Sequence, residues 1–178
     1  MSSRRTASGL FAAVVVATVA LPAGGASVEH CVVEVVDQKW DGEFVLSEPV
    51  CFERASDALA YASGGFTTVE SGDSVQSLGA GGGVMSLSGS FALGIHYDGF
   101  NGTGSSITVM GSSCTGGWWN TSSAWDNRIS SSYNGCYRLT HHDLPNKAGA
   151  SESTTGSGTT HNLSSLNNQT ESVSYWSS

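Results

Sequence analysis

Short apolar stretches alternate with clusters of Gly, Asn, Ser and Thr along the last half of the chain. They fall at residues 91–95, 106–110, 137–139 and 173–176. That rhythm predicts brief strands joined by turns, as in an all-β sandwich. No window there carries an apolar stripe at helical spacing. Earlier, Val32, Val33, Val35 and Val36 form a β-branched run that predicts a strand. Ser56 is placed to cap a short helix over 57–63, stopped by Gly64 and Gly65. Residues 71–90, with Gly72, Gly79, Gly81, Gly82, Gly83 and Gly89, read as a flexible connector.

One apolar run behaves differently. Arg4 and Arg5 precede the twelve positions 10–21, and small residues follow through Gly24, Gly25 and Ala26. This is the order of a secretory signal cut before Ser27, and the run is too short for a membrane helix, which needs about 20 residues. The expected organisation is a signal peptide over 1–26, an acidic segment or pro-region over 27–70, a Gly/Ser-rich linker over 71–90 and a β-sandwich over 91–178. Charge supports the division: residues 29–73 hold ten acidic and two basic residues, and residues 74–178 five and three. A formal charge of −8 over 178 residues offers no basic face to nucleic acid. With the signal removed, nothing predicts membrane association, and a secreted monomer is expected.

Export also changes how the four cysteines read. Cys31 and Cys51 lie in the acidic zone, Cys114 and Cys136 in the later one, with the Gly-rich bridge between. Pairing within each zone, Cys31 with Cys51 and Cys114 with Cys136, closes two loops of about 20 residues, each worth roughly 3 kcal/mol. Neither a C-x-x-C pair nor a spaced His partner favours zinc instead.

The later zone contains an internal repeat. Tyr97 precedes Gly104 by seven residues, and His142 precedes Gly149 by seven, 45 residues further on. Asp126-Asn127-Arg128-Ile129-Ser130-Ser131 has a counterpart 41 residues later in Asn167-Asn168-Gln169-Thr170-Glu171-Ser172. Two copies in one order predict a duplicated pair of four-stranded units packed face to face around one interior.

These residues resemble the Greek-key motif of the βγ-crystallin superfamily, over about half the chain. Tyr97 and Gly104, then Gly149, match its aromatic and glycine positions; Gly102 and Lys147 stand at the second aromatic position and His142 at the first of the second motif. The texture of Gly94-Ile95-His96-Tyr97 and Trp125–Ser131 is similar to the secreted bacterial metalloproteinase inhibitors within that superfamily. The resemblance implies a two-motif Greek-key β-sandwich behind a small α+β or partly disordered segment. It also implies a non-enzymatic peptidase inhibitor whose partner is an extracellular zinc metalloproteinase. A rigid, disulfide-held loop suits that role because little conformational entropy is left to lose on binding. Loops beside Cys114 or Cys136 are the natural candidates.

Calcium is the other property the resemblance implies, and with it the alternative of a calcium-binding structural, antimicrobial or carbohydrate-binding module. Carried over by position, Asp126, Asn127 and Ser130 would serve from the first motif, and Asn167, Asn168 and Glu171 from the second. Their hard oxygens suit an ion that takes 6–8 such ligands, although the same residue types also form Asx-turns without metal. Other chemistry finds less support. No G-x-S-x-G elbow occurs, the five His residues show no ligand spacing, and Trp118, Trp119, Trp125 and Trp176 fit a core better than a sugar platform.

Overall fold

A computed structural model describes residues 27–64 and 89–178. The signal-peptide reading of 1–26 and nearly all of the linker reading of 71–90 lie outside the described residues. What is described is mostly β, in two sheets.

The valine-rich run becomes β1 (His30–Gln38), which turns back through β2 (Phe44–Leu46) and then β3 (Val50–Phe52). Helix α1 spans Ala55–Ala62. It begins two residues earlier than expected, with Arg54 rather than Ser56 at its cap and no side-chain capping bond. Gly64, at φ +66, follows its end. The remaining strands are β4 (Phe91–Tyr97), β5 (Ser106–Gly111), β6 (Thr115–Asn120), β7 (Ser131–Asn134), β8 (Arg138–Leu144), β9 (Ala148–Thr155), β10 (Thr159–Asn162) and β11 (Ser172–Trp176).

One sheet runs β10-β7-β4-β5-β1-β2, with β3 also paired to β1, and the other runs β6-β11-β8-β9. The two halves of the repeat, β4–β7 and β8–β11, are therefore interlocked. Each places its first, second and fourth strands in one sheet and gives its third, β6 or β10, to the other. This differs from two separate four-stranded units facing each other, because a third strand that crosses over pairs with the partner's fourth. The acidic segment joins the same framework. β1 lies parallel to β5 from His30 opposite Ser106 to Glu34 opposite Met110.

Between the sheets Val33, Phe44, Leu93, Val109, Trp119, Ile129, Leu139, Val173 and Tyr175 form the main core. Phe44 sits so close to β6 that a Cβ on Gly117 would lie 1.9 Å from its ring, so that glycine is required by contact. A second core forms on the far face of the larger sheet, where Ala58, Leu59 and Ala62 of α1 cover Ala92, Ile95, Tyr97, Met110 and Tyr133. The amphipathic α1 has little else to bury.

Cys31 is bonded to Cys51, directly opposite it in the β1–β3 ladder, and Cys114 to Cys136, joining the start of β6 to the β7–β8 turn. These are the pairings expected from the zones. Among the described residues no helix is long and apolar enough to cross a membrane.

Candidate functional site

The repeated motifs meet at one end of the sandwich. In each hairpin that opens a motif, an Asn and its follower both take left-handed backbone: Asn101 and Gly102 at φ 57 and 72, Asn146 and Lys147 at φ 60 and 59. The position where the crystallin pattern has its second aromatic is thus the second residue of a tight turn, which Gly tolerates at no steric cost. Gly104 and Gly149 follow at φ 78 and 76. The last Ser of each acid-amide motif fastens the hairpin. Ser131 Oγ donates to Gly99 O and accepts from Gly102 N–H, and Ser172 Oγ donates to Leu144 O and accepts from Lys147 N–H.

Four of the six expected calcium ligands meet across the motifs, Ser130 with Asn168 and Asn127 with Glu171. Buried Ser130 has its Oγ 3.0 Å from Asn168 Oδ1 and 3.0 Å from the carbonyl of Asp98. Three oxygens converge there, and one hydroxyl proton cannot satisfy both of the others. On the other side Asn127 Nδ2 donates to Glu171 Oε1 at 3.3 Å, while Thr121 Oγ1 faces Asp126 Oδ1 at 3.5 Å and Glu171 O at 3.1 Å. Asn127 and Asn168, equivalent in the repeat, share φ 55. Asn167 projects its Oδ1 into a buried position without a hydrogen-bond partner.

Asp98 was missed by the motif reading, though it follows Tyr97 as Asp143 follows His142, the same 45 residues apart. Its carboxylate accepts from Arg128 Nη2 at 2.7 Å and from Ser105 N–H at 2.8 Å. Glu152 was missed too. Its carboxylate accepts from Ser164 and Leu166 N–H and from the hydroxyls of Ser164 and Ser165. Burial pushes its pKa up, but those bonds outweigh it and hold the group at about 2.

The loops beside the second disulfide are of two kinds. At Cys136 the chain is a tight buried turn: a Cβ on Gly135 would fall 1.7 Å from Ala92 O. At Cys114 the β5–β6 connection is exposed and stiffened. Thr115 N–H donates to Ser113 Oγ, Gly116 N–H donates to Cys114 O, and Ser112 and Ser113 face solvent.

The tryptophans form no open platform. Trp119 and Trp125 are in the core. Trp118 points to the opposite face from Trp119 but is buried too, under the β1–β2 hairpin, with its Nε1 donating to Asp41 O. Trp176 is half-buried beneath Arg138. His141 and His142 face opposite sides of β8, as adjacent strand residues must. The first is fully buried, and the second meets Ser174 Oγ.

No protein-family model matches this chain, and no curated protein or solved structure matches it either.

Proposed function

We propose that the protein is a secreted, non-enzymatic binding module with a crystallin-type Greek-key architecture, which takes up calcium at the junctions between its two motifs. The observation that carries this reading is the convergence of Ser130 Oγ, Asn168 Oδ1 and the Asp98 carbonyl. The strand order supports it, since the third strand of each half completes the other half's sheet. In the first junction Ser130, Asn168 and the Asp98 carbonyl hold the ion. In the second, Glu171 with Asn127 and Asp126 does so, and Asn167 lends its buried oxygen to the framework. Calcium supplies charge neutralisation and cross-links the motifs, with dissociation constants on the order of 10⁻⁴ M typical of extracellular modules. Calorimetric titration of the chelator-treated protein tests it. Two binding events are expected, with a rise in melting temperature that grows with calcium. Ser130→Ala removes one event and Glu171→Gln the other; no heat and no stabilisation at millimolar calcium would sink the proposal.

A second reading, inhibition of an extracellular zinc metalloproteinase, is favoured by the exposed, disulfide-anchored connection at 112–115. Its anchoring bonds leave little entropy to lose on docking. Titration against a thermolysin-like peptidase at constant calcium should give stoichiometric inhibition that a Ser112→Pro, Ser113→Pro double variant weakens at unchanged melting temperature. Full peptidase activity at a molar excess of the protein would exclude it.

A further inference from the structure

A cleft of about 530 Å³ lies between the disulfide-linked β1–β3 pair and the loop that follows β6, beside the first motif junction. Its size falls in the range of small-molecule sites. The floor is apolar: the Cys31–Cys51 bridge, Val33, Leu46, Ile107 and the buried Trp119 and Trp125. The rim is mostly neutral hydroxyl and amide. Among the described residues, two charged side chains line it, Glu29 and Arg128.

Those two charges are not equivalent. Arg128 is already committed, its guanidinium donating to Asp98 Oδ2 at 2.7 Å and to Ala124 O at 2.7 Å while lying 5.1 Å from the Trp125 ring centre. A carboxylate or phosphate entering the cleft would have to compete with Asp98 for it. Glu29 is exposed at the mouth, and the chain as a whole is acidic. The lining side chains therefore offer an anion no uncommitted cation.

We propose that this cleft binds a small, mainly apolar ring molecule that is neutral or carries one positive charge, and that it rejects anions of the same shape. The apolar floor supplies the affinity by removing ligand surface from water. Trp119 and Trp125, nearly buried at the floor, add apolar contact there. Glu29 and the prior pairing of Arg128 set the charge preference. The disulfide holds β3 and the turn before it as the outer wall, so the site is largely formed before ligand arrives.

Two fluorescent probes of nearly one shape test this with the intact protein: neutral N-phenyl-naphthylamine and its sulfonated relative, anilinonaphthalene sulfonate. The expected result is saturable one-to-one binding of the neutral probe, with energy transfer from tryptophan, and at least about tenfold weaker binding of the sulfonate. Ala124→Trp, at an exposed position on the cleft wall, should abolish binding without lowering the melting temperature. Glu29→Gln should narrow the gap between the probes. Non-saturable uptake, equal affinity for both probes, or undiminished binding to Ala124→Trp in a folded variant would each overturn the proposal.

Discussion

At the scale of single residues, the most constrained chemistry lies between the sheets. Trp119 Nε1 donates to Tyr175 OH, Tyr175 OH contacts His96 Nε2, His96 Nδ1 contacts Ser132 Oγ, and Ser132 Oγ contacts His141 Nε2, all within 2.8–2.9 Å. Indole can only donate, so one direction of donation satisfies the most groups. Tyr175 gives its proton to His96 Nε2, His96 Nδ1–H gives to Ser132, and Ser132 gives to His141 Nε2. Both imidazoles are then neutral, and the His141 Nδ1–H faces the Glu152 backbone. All five side chains are buried, which makes this cluster a strut between the sheets.

Burial holds both histidines below their usual pKa. His96 is well below it, with His141 adding repulsion, and His141 is at about 4, where the neighbouring His142 also lowers it and Glu152 partly offsets the effect. Between about pH 6.5 and 4 the unfolded chain binds protons that the folded chain refuses, so stability is full above that window and falls as pH drops through it. A second loss follows between about pH 4.5 and 2 as Glu152 protonates. Melting temperature measured from pH 8 to 4 should fall below pH 6.5. His141→Gln, which keeps an acceptor for Ser132, should remove about half of that slope. A flat profile for the parent protein would contradict the neutral-histidine strut. The histidines' presence was visible in the sequence, but their meeting depends on β4, β7 and β8 being brought together from different parts of the chain.

At the scale of elements, legibility followed side-chain type. β4, β5, β8 and β11 carry apolar residues and were read from the pattern. β6, β7, β9 and β10 are mostly Gly, Ser, Thr and Asn, with Trp118-Trp119, Tyr133, Glu152 and His161 among them, and their strand character comes from the ladder they join. Every residue of β7, Ser-Ser-Tyr-Asn, is buried because its hydroxyls and amide find partners on other elements, as Asn134 Nδ2 does at Thr154 O. The helix start was misplaced because Arg54 serves as its cap with no side-chain bond. Element contacts also contain a second repeat that the motif reading passed over. Asn101 and Asn162 exchange hydrogen bonds, Asn101 N–H to Asn162 Oδ1 and Asn162 Nδ2 to Asn101 Oδ1, and Asn146 and Asn120 do the same. Each pair ties the opening hairpin of one half to the end of the strand donated by the other. Asn146→Ala removes the bond from Asn120 Nδ2, keeps its own N–H bond to Asn120 Oδ1, and places a side chain with no left-handed preference at φ 60. It should cost about 2 kcal/mol in chemical denaturation, against about 1 kcal/mol for Asn146→Gly, which loses the same bond but tolerates the left-handed backbone. Equal costs would mean that the turn backbone contributes nothing.

At the scale of the whole molecule, the positive charges are used sparingly and mostly on aromatic faces. Arg128 lies over Trp125, Arg138 over Trp176 and Lys147 over Trp118, so three of the five basic side chains described are stacked in this way, leaving an acidic exterior. The composition that separates residues 27–70 from the later zone describes charge, while the packing joins them. Val33 and Phe44 fill the space between the sheets, Val32 and α1 cover the far face of β4 and β5, and β1 continues the ladder from β5. Neither disulfide crosses between the two parts, since Cys31–Cys51 lies wholly in the first and Cys114–Cys136 wholly in the second. Apart from the peptide chain itself, the union therefore rests on non-covalent contact, and burial of that many apolar side chains at roughly 2 kcal/mol each is ample to hold it. A single protease site engineered between residues 65 and 88 should yield two fragments that elute together under native conditions. They should separate in strong denaturant without reductant. If 27–64 instead departs on cleavage in native buffer, the first segment is a removable pro-region and its strand and helix contribute too little to the sandwich to retain it.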